Sequence, residues 1–108
     1  MNAFACSGKI SKVFEPVTTN NGTTIIRFTV ISQNGNGQAD NEGNPRADYI
    51  PCVLFNPGEE IKPLFEKGNE GSFVEFQGKV VTTVFNNKGK KSYKPEVVVF
   101  PKSVHVLA

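Results

Sequence analysis

The sequence contains no tryptophan, one histidine, His105, and two cysteines, Cys6 and Cys52. With one histidine, a Ser-His or Cys-His catalytic pair is credible at one position at most. The cysteines are too few and too far apart for a zinc-binding pattern, and we expect buried thiols in a reducing compartment. Neither a phosphate-binding P-loop nor a catalytic carboxylate pair is recognisable. We therefore expect a protein that is not an enzyme and that holds no metal or cofactor.

Long apolar segments are also missing from the sequence. No run approaches the roughly 20 apolar residues that span a bilayer. The N-terminus has no basic and apolar export signal. We expect a cytoplasmic protein with no membrane partner. Its 108 residues are enough for a single domain, residues 1–108, with one core.

Positive charge is concentrated near the C-terminus. The net charge of the whole chain is only +2. Residues 79–108 carry six lysines against one acid, Glu96, whereas residues 37–78 carry eight acids against three bases. An anionic partner is therefore expected to contact the C-terminal third of the chain.

Apolar and polar residues alternate with the period of β-strands. Asn20-Asn21-Gly22 and Asn86-Asn87-Lys88-Gly89 predict hairpins, because Asn and Gly tolerate the positive φ of tight turns. The segment from 33 to 47, rich in Asn and Gly, predicts a mobile loop. Five strands are predicted, at Phe4–Val13, Thr23–Ile31, Tyr49–Phe55, Phe73–Phe85 and Tyr93–Phe100.

One short helix is predicted in the segment NPGEEIKPLFEKG, between the third and fourth strands. Pro63 limits it to one or two turns starting near Ile61. Ile61, Leu64 and Phe65 would then face the sheet. An all-β chain of five strands with a helix at this place is typical of the five-stranded Greek-key barrel of the OB fold, which binds ligands across its second and third strands.

The segment ADYIPCVLF separates its side chains onto two faces of the third strand. Ile50, Cys52 and Leu54 are expected in the core. Tyr49 and Phe55 then lie on a face open to a flat ligand such as a nucleobase. The alternative is a strand buried on both faces.

The fourth strand also has two unlike faces. Alternation assigns Val74, Phe76, Gly78, Val80 and Val84 to the core, and Lys79 and Phe85 to a solvated or ligand face.

The lysines of the last hairpin suit backbone phosphates, although a lysine-rich soluble turn is the simpler alternative. Arg27 points outward from the second strand, where it contacts phosphate or solvates the sheet. Phe14, Phe65, Phe73, Phe76 and Phe100 are expected in the core or an interface rather than as base platforms.

Several segments together resemble one family. ADYIPCVLF, EKG, FQGKVVTTVF and SYKPEVVVF, preceded by GKI, NNG and FTV, are similar in order and spacing to the bacterial and bacteriophage single-stranded DNA-binding proteins, from about Ala3 to Leu107. The resemblance implies an OB fold in a bacterial cell or a phage-infected host. It also implies base stacking by Tyr49, Phe55 and Phe85, and a homotetramer, with a dimer as the second choice.

The sequence departs from the family pattern at three places. Asn36 stands near a fourth stacking position and is not aromatic, and Asn69-Glu70-Gly71 is a three-residue insertion. The sequence ends at Ala108 without the acidic tail that recruits replication and repair enzymes in cellular members. We therefore expect no tail-mediated recruitment: either another surface is used or the sequence is truncated.

The sequence thus predicts a protein that binds and protects single-stranded DNA with little sequence preference during replication or recombination. The alternatives are an OB-fold interaction module of a primosome or phage assembly, and an RNA-binding OB protein. The predicted nucleic-acid-binding residues are Tyr49, Phe55, Phe85, Lys79, Lys88, Lys90, Lys91, Lys94, Arg27 and Arg46.

Overall fold

The computed structural model describes residues 1–33 and 47–107. In this part of the chain the five predicted strands are confirmed, and two short strands accompany them. The loop predicted between the second and third strands, with Asn36 and Arg46, lies outside the described residues. The strands are β1 (Phe4–Val13), β2 (Val17–Thr18), β3 (Thr24–Gln33), β4 (Ala47–Phe55), β5 (Phe73–Asn87), β6 (Lys90–Val99) and β7 (His105–Val106).

The long strands close into a ring in the order β1-β3-β4-β6-β5, and β5 pairs with β1 again. Strands β4 and β6 run parallel, through Cys52 with Val97 and Val53 with Val98. This closed sheet confirms the predicted OB-type barrel. The short β7 pairs with β5 at the end of the sheet order, which places His105 at the barrel edge as predicted.

Strand β1 belongs to both sides of the ring. Phe4–Lys9 pairs with β5, and Lys9–Val13 pairs with β3, with a register shift between Ile10 and Lys12. Such an irregularity bends a strand and changes the direction of its backbone hydrogen-bonding groups. A Cβ atom on Gly8 would collide with the carbonyl oxygen of Ile31, so only glycine fits where β1 changes partner.

The core is centred on Phe28 of β3. Its ring lies 4.3 Å from the ring of Phe65 and 6.2 Å from that of Phe76, between ring centroids. Cys52 and Leu54 are fully buried and Ile50 packs against the core from its margin, so the predicted inner face of β4 is confirmed. The buried apolar residues are Ile10, Val13, Ile26, Phe28, Val30, Cys52, Val53, Leu54, Phe65, Val74, Phe76, Val97, Val99 and Val104.

The predicted helix is a 3-10 turn, Lys62–Phe65, with Pro63 in its first turn, followed by a second 3-10 turn, Lys67–Asn69. Phe65 is buried, and Ile61 and Leu64 pack against the core as predicted. Proline at the start is tolerated because the first N–H groups of a helix have no internal acceptor.

The segment Asn69–Gly71, which was predicted to be an insertion, forms hydrogen bonds with β1. A carboxylate oxygen of Glu70 accepts a hydrogen bond from the backbone N–H of Val13 at 2.7 Å. The N–H of Gly71 donates to the carbonyl oxygen of Ile10, also at 2.7 Å. This segment therefore satisfies backbone groups beside the irregularity in β1.

The prediction that Val80 and Val84 lie in the core is wrong. The two side chains are 40% and 52% exposed. Strand β5 pairs with β1 only as far as Gly78, and β6 pairs with β4 only near Val97. Beyond these points β5 and β6 form a two-stranded ribbon, Val80–Glu96, here called the arm, which ends in a tight turn. The alternation continues in the arm, but no second layer from the described residues covers its inner side.

Both cysteines, Cys6 and Cys52, are free thiols. Cys52 is buried, as predicted, and Cys6 is half-buried. Burial raises the pKa of both thiols, although for Cys6 a hydrogen bond with Ser32 opposes the rise. A raised pKa leaves little reactive thiolate at neutral pH.

None of the helices within residues 1–33 and 47–107 has the length and apolar character needed to cross a membrane. The same residues contain no group of three or more His, Cys, Asp or Glu side chains placed to hold a metal ion.

Candidate nucleic-acid interface

Seven of the ten predicted binding residues lie on the outer side of the sheet formed by β3, β4, β6 and β5. The strand register aligns Arg27, Val53, Val98 and Lys79 in one row across this sheet. Residues that lie opposite each other on paired strands point to the same side. The row therefore defines one surface, here called the outer face, which continues from the barrel onto the arm.

Two predicted base platforms stand on β4. Tyr49 is 69% exposed and Phe55 is 42% exposed. Six residues of strand separate them, which corresponds to about 20 Å. Both residues are held by pairing of β4 with β3, through Ile31 and Ile25, and both rings are open to solvent, so each offers a flat surface for a base.

The third predicted platform, Phe85, lies on the arm between two cations. The Nζ atom of Lys94 is 5.6 Å from the ring centroid, and the Cζ atom of Arg27 is 5.5 Å from it. Both distances fall within the range of cation–π attraction. Phe85 is half-buried, and it pairs with Ser92 near the turn of the arm, so these contacts link the arm to Arg27 of the barrel.

Arg27 is not a free cation. Its Nε donates to Oε2 of Glu96 at 2.9 Å and an Nη atom donates to Oε1 at 3.4 Å. Glu96 is only 5% exposed. Burial alone would raise the pKa of this carboxyl, but hydrogen bonds from Arg27 and Thr83 and the charge of Arg27 lower it below its usual value. Glu96 therefore stays ionised and neutralises Arg27.

The same ion pair explains an unexpected burial on β4. Val53 lies on the outer face opposite Arg27, yet it is 1% exposed. Strand β4 lies between β3 and β6, so the Arg27 side chain must cross β4 to reach Glu96. The aliphatic stem of an arginine covers apolar surface efficiently while its head stays polar.

The predicted lysines are all exposed, but they divide between the two sides of the arm. Lys90 and Lys94 lie on the same side of the arm as Phe85, and Lys94 contacts the Phe85 ring. Lys91 is on the opposite side together with Tyr93. Lys88 lies in the turn with a φ of 53°. The structure thus brings Lys79, Lys90 and Lys94 to the outer face and places Lys91 behind it.

Phe14 also borders the outer face. This residue was expected in the core or an interface, and it is not a core residue, since it is 45% exposed. It lines a cavity of about 270 Å³ on the outer face together with Arg27, Phe85 and Lys94. Phe73 and Phe100 are also not core residues, being 48% and 46% exposed, whereas Phe65 and Phe76 are buried as predicted. The register shift between Ile10 and Lys12 reverses the alternation of β1, so Phe14 faces outward although regular alternation would place it on the side of Ile10.

The comparisons with known proteins agree with this geometry. The model of the single-strand binding protein family matches residues 1–105. The chain therefore belongs to the single-strand binding protein family. No curated protein matches the sequence.

Solved structures with a similar fold include three single-stranded DNA binding proteins. An SSB from Plasmodium falciparum in complex with ssDNA has a TM-score of 0.68 at 15% identity, over 99% of this chain and 93% of that one. The mitochondrial protein Rim1 of S. cerevisiae has a TM-score of 0.66 at 19% identity, over 97% and 93%. A deletion mutant of the Thermus aquaticus protein has a TM-score of 0.70 at 16% identity, over 100% of this chain and 51% of that one. At these identities the likeness establishes the fold.

Proposed function

We propose that this protein binds and protects single-stranded DNA with little sequence preference, as a non-catalytic protein acting during DNA replication or recombination. The observation that supports this most directly is the outer face, where two exposed aromatic rings, one half-buried ring and exposed lysines share one continuous surface. Tyr49, Phe55 and Phe85 supply the rings, and Lys79, Lys90 and Lys94 supply the charge. Membership of the single-strand binding protein family supports the same conclusion.

The rings account for the absence of sequence preference. Every base has a π-face, so a flat aromatic side chain stacks on any of them, with a gain of roughly 1 to 3 kcal/mol per base. Stacking of this kind needs bases whose faces are free. In a duplex the bases stack on one another inside the helix, so the platforms of the outer face select single strands.

The lysines account for affinity. Each lysine that meets a phosphate releases a condensed counterion, and this gain does not depend on the base. Arg27 contributes less than a free cation, because Glu96 neutralises it at 2.9 Å. Arg27 instead helps to hold Phe85 in place, with its Cζ atom 5.5 Å from the ring.

The test is a titration with dT oligomers and with duplex DNA of equal length at two salt concentrations. The log of the affinity for dT should fall linearly with log salt, by about 0.7 for each phosphate neutralised. Duplex should bind much more weakly. An affinity for duplex equal to that for dT, or an affinity for dT that does not depend on the salt concentration, would refute the proposal. An RNA oligomer of matching sequence, added as competitor, distinguishes DNA binding from RNA binding.

We also propose that the protein assembles as a homotetramer, with a dimer as the second choice. Residues Phe4–Ser7 of β1 pair with β5 on one side, and within the described part of the chain no strand pairs with their other side. An open strand edge supports backbone pairing with a second copy. Several copies would hold one strand by avidity. Light scattering at micromolar concentration, with and without dT oligomer, tests this, and a monomer under both conditions would refute it.

The run Val97–Phe100 at the end of β6 is a weaker candidate for an association surface. Val97 and Val99 are core residues, so this run does not present an apolar face. Only Phe100 is well exposed, at 46%. The β1 edge is therefore the stronger support for assembly.

A further inference from the structure

A fourth aromatic ring borders the outer face beside the three predicted platforms. Phe14 follows β1, and its backbone N–H donates to the carbonyl oxygen of Arg27 at 2.9 Å. This bond extends the β1–β3 pairing by one position, since Val13 is aligned with Phe28. Phe14 is therefore the lateral neighbour of Arg27, and Arg27 in turn contacts the ring of Phe85 at 5.5 Å.

Phe14 and Phe85 line the same cavity. Its volume of about 270 Å³ lies just below the range of about 300 to 1,000 Å³ that is usual for drug-sized ligands. Thr29, Pro51 and Lys94 also line it. A cavity of this size, with an aromatic ring on its border, suits one flat base rather than a larger ligand.

A cation accompanies the ring. The Nζ atom of Lys12 lies 4.8 Å from the centroid of Phe14, and the Lys12 side chain is exposed. Phe85 has the same arrangement, with the Nζ atom of Lys94 at 5.6 Å. In both cases an ammonium group lies over one face of an aromatic ring, where it can meet the phosphate of a nucleotide whose base stacks on the opposite face.

Exposure alone does not distinguish Phe14. Single exposed aromatic residues are common on protein surfaces, and Phe73 and Phe100 are 48% and 46% exposed. The difference is location, because neither of these residues lines the cavity that contains Arg27 and Phe85. Phe73 therefore provides a control of matched type and exposure.

We propose that Phe14 and Lys12 form an additional subsite for one nucleotide of a single strand, with the base stacked on Phe14 in the cavity shared with Phe85 and the phosphate held by Lys12. This inference rests on the proposed function. It extends the binding path from the arm across Arg27 to the end of β1.

The first experiment compares the affinities of Phe14→Ala, Phe14→Leu, Phe73→Ala and Phe85→Ala for a dT oligomer. Phe14→Ala and Phe14→Leu should both weaken binding by roughly 5- to 150-fold, the range expected for one stacked base, because neither side chain has a π-face. Phe73→Ala should bind like the wild type. Wild-type affinity in either Phe14 variant would overturn the subsite. Failure of the wild type to bind dT would instead overturn the proposed function.

A second experiment reports stacking directly. Since the chain has no tryptophan, Phe14→Trp introduces a single fluorescent indole. Its emission should be quenched when dT oligomer is added, and the emission of Phe73→Trp should not change. Lys12→Ala should reduce the slope of log affinity against log salt by about 0.7, while Phe14→Leu leaves it unchanged. Unquenched indole emission from a Phe14→Trp variant that binds dT would refute the subsite.

Discussion

Arg27 and Glu96 form an ion pair that crosses strand β4, with Nε of the arginine 2.9 Å from Oε2 of the glutamate. The pair joins β3 to the base of the arm, since Glu96 is the last residue of the ribbon before β6 enters the barrel. Glu96 is buried, whereas the Arg27 side chain is 34% exposed. One contact thus fixes the arm, covers Val53 and sets the charge at the centre of the outer face.

The pair predicts a specific acid sensitivity. The lowered pKa of Glu96 means that its stabilisation is present above the ordinary carboxyl pKa of about 4.3 and is lost as pH falls through the lower folded value. Glu96→Gln should reduce the free energy of unfolding at pH 7 by roughly 1 to 3 kcal/mol, less than for a fully buried pair because water reaches Arg27. The difference from wild type should shrink as the pH is lowered from about 5 to about 3.

Urea unfolding at several pH values measures this effect, and the exposed Glu59→Gln variant serves as the control. A constant difference between wild type and Glu96→Gln over the whole pH range would contradict the prediction.

The same substitution predicts a gain in electrostatic binding. Without the glutamate, Arg27 loses its charge partner on the outer face. The slope of log affinity against log salt for a dT oligomer should then steepen by up to about 0.7, which corresponds to one more neutralised phosphate. Titrations of Glu96→Gln and Glu59→Gln at four salt concentrations give the comparison. A shallower slope in Glu96→Gln would show that the ion pair is needed to hold the cation in position.

Local patterns were sufficient to predict the barrel. Period-2 alternation located all five long strands, and Asn-Gly clusters located two turns. Pro63 correctly limited the helix to short turns. These features depend on neighbours within a few residues, which the sequence displays directly.

Relations between distant segments could not be predicted in the same way. Alternation assigned Val80 and Val84 to the core because it does not reveal where a strand loses its second partner. Arg27 and Glu96 are far apart in the sequence, and no local pattern shows that they pair. Phe14 lies just beyond a strand end, where the direction of the side chain is set by the bond of its N–H to Arg27.

Shortening an apolar side chain should lower the free energy of unfolding much more in the barrel than on the arm. Leu54 is fully buried, and Leu54→Ala should lower the free energy of unfolding by about 2 to 5 kcal/mol through lost burial and a residual cavity. Val84 is 52% exposed on the arm, and Val84→Ala should change it by less than about 0.5 kcal/mol. Urea unfolding of both variants measures the two costs. A large cost for Val84→Ala would mean that the arm packs on another surface, such as a second copy.

The base platforms predict losses of affinity without loss of fold. Tyr49→Ala, Phe55→Ala and Phe85→Ala should each weaken dT binding by roughly 1 to 3 kcal/mol and leave the salt slope unchanged, because stacking releases no counterions. The unfolding curve of Tyr49→Ala should remain close to that of the wild type, because Tyr49 is 69% exposed. If Phe55→Ala or Phe85→Ala unfolds the domain, that ring is a structural residue and its assignment as a platform fails.

The two sides of the arm provide a matched pair of lysines for the last prediction. Lys90 shares the outer side with Phe85 and Lys94, whereas its neighbour Lys91 points to the opposite side with Tyr93. Both are exposed, and they carry equal charge at nearly equal distance from the tight turn. If the strand of DNA follows the outer face, Lys90→Ala should reduce the slope of log affinity against log salt by about 0.7, and Lys91→Ala should leave it nearly unchanged.

Titration of both variants with one dT oligomer at four salt concentrations measures the two slopes. The reverse order of effects would place the DNA path on the inner side of the arm, beside Tyr93. Equal reductions would mean that the strand wraps around the hairpin and meets both sides, because a phosphate held at one side cannot be neutralised to the same degree by an ammonium group that points away from it.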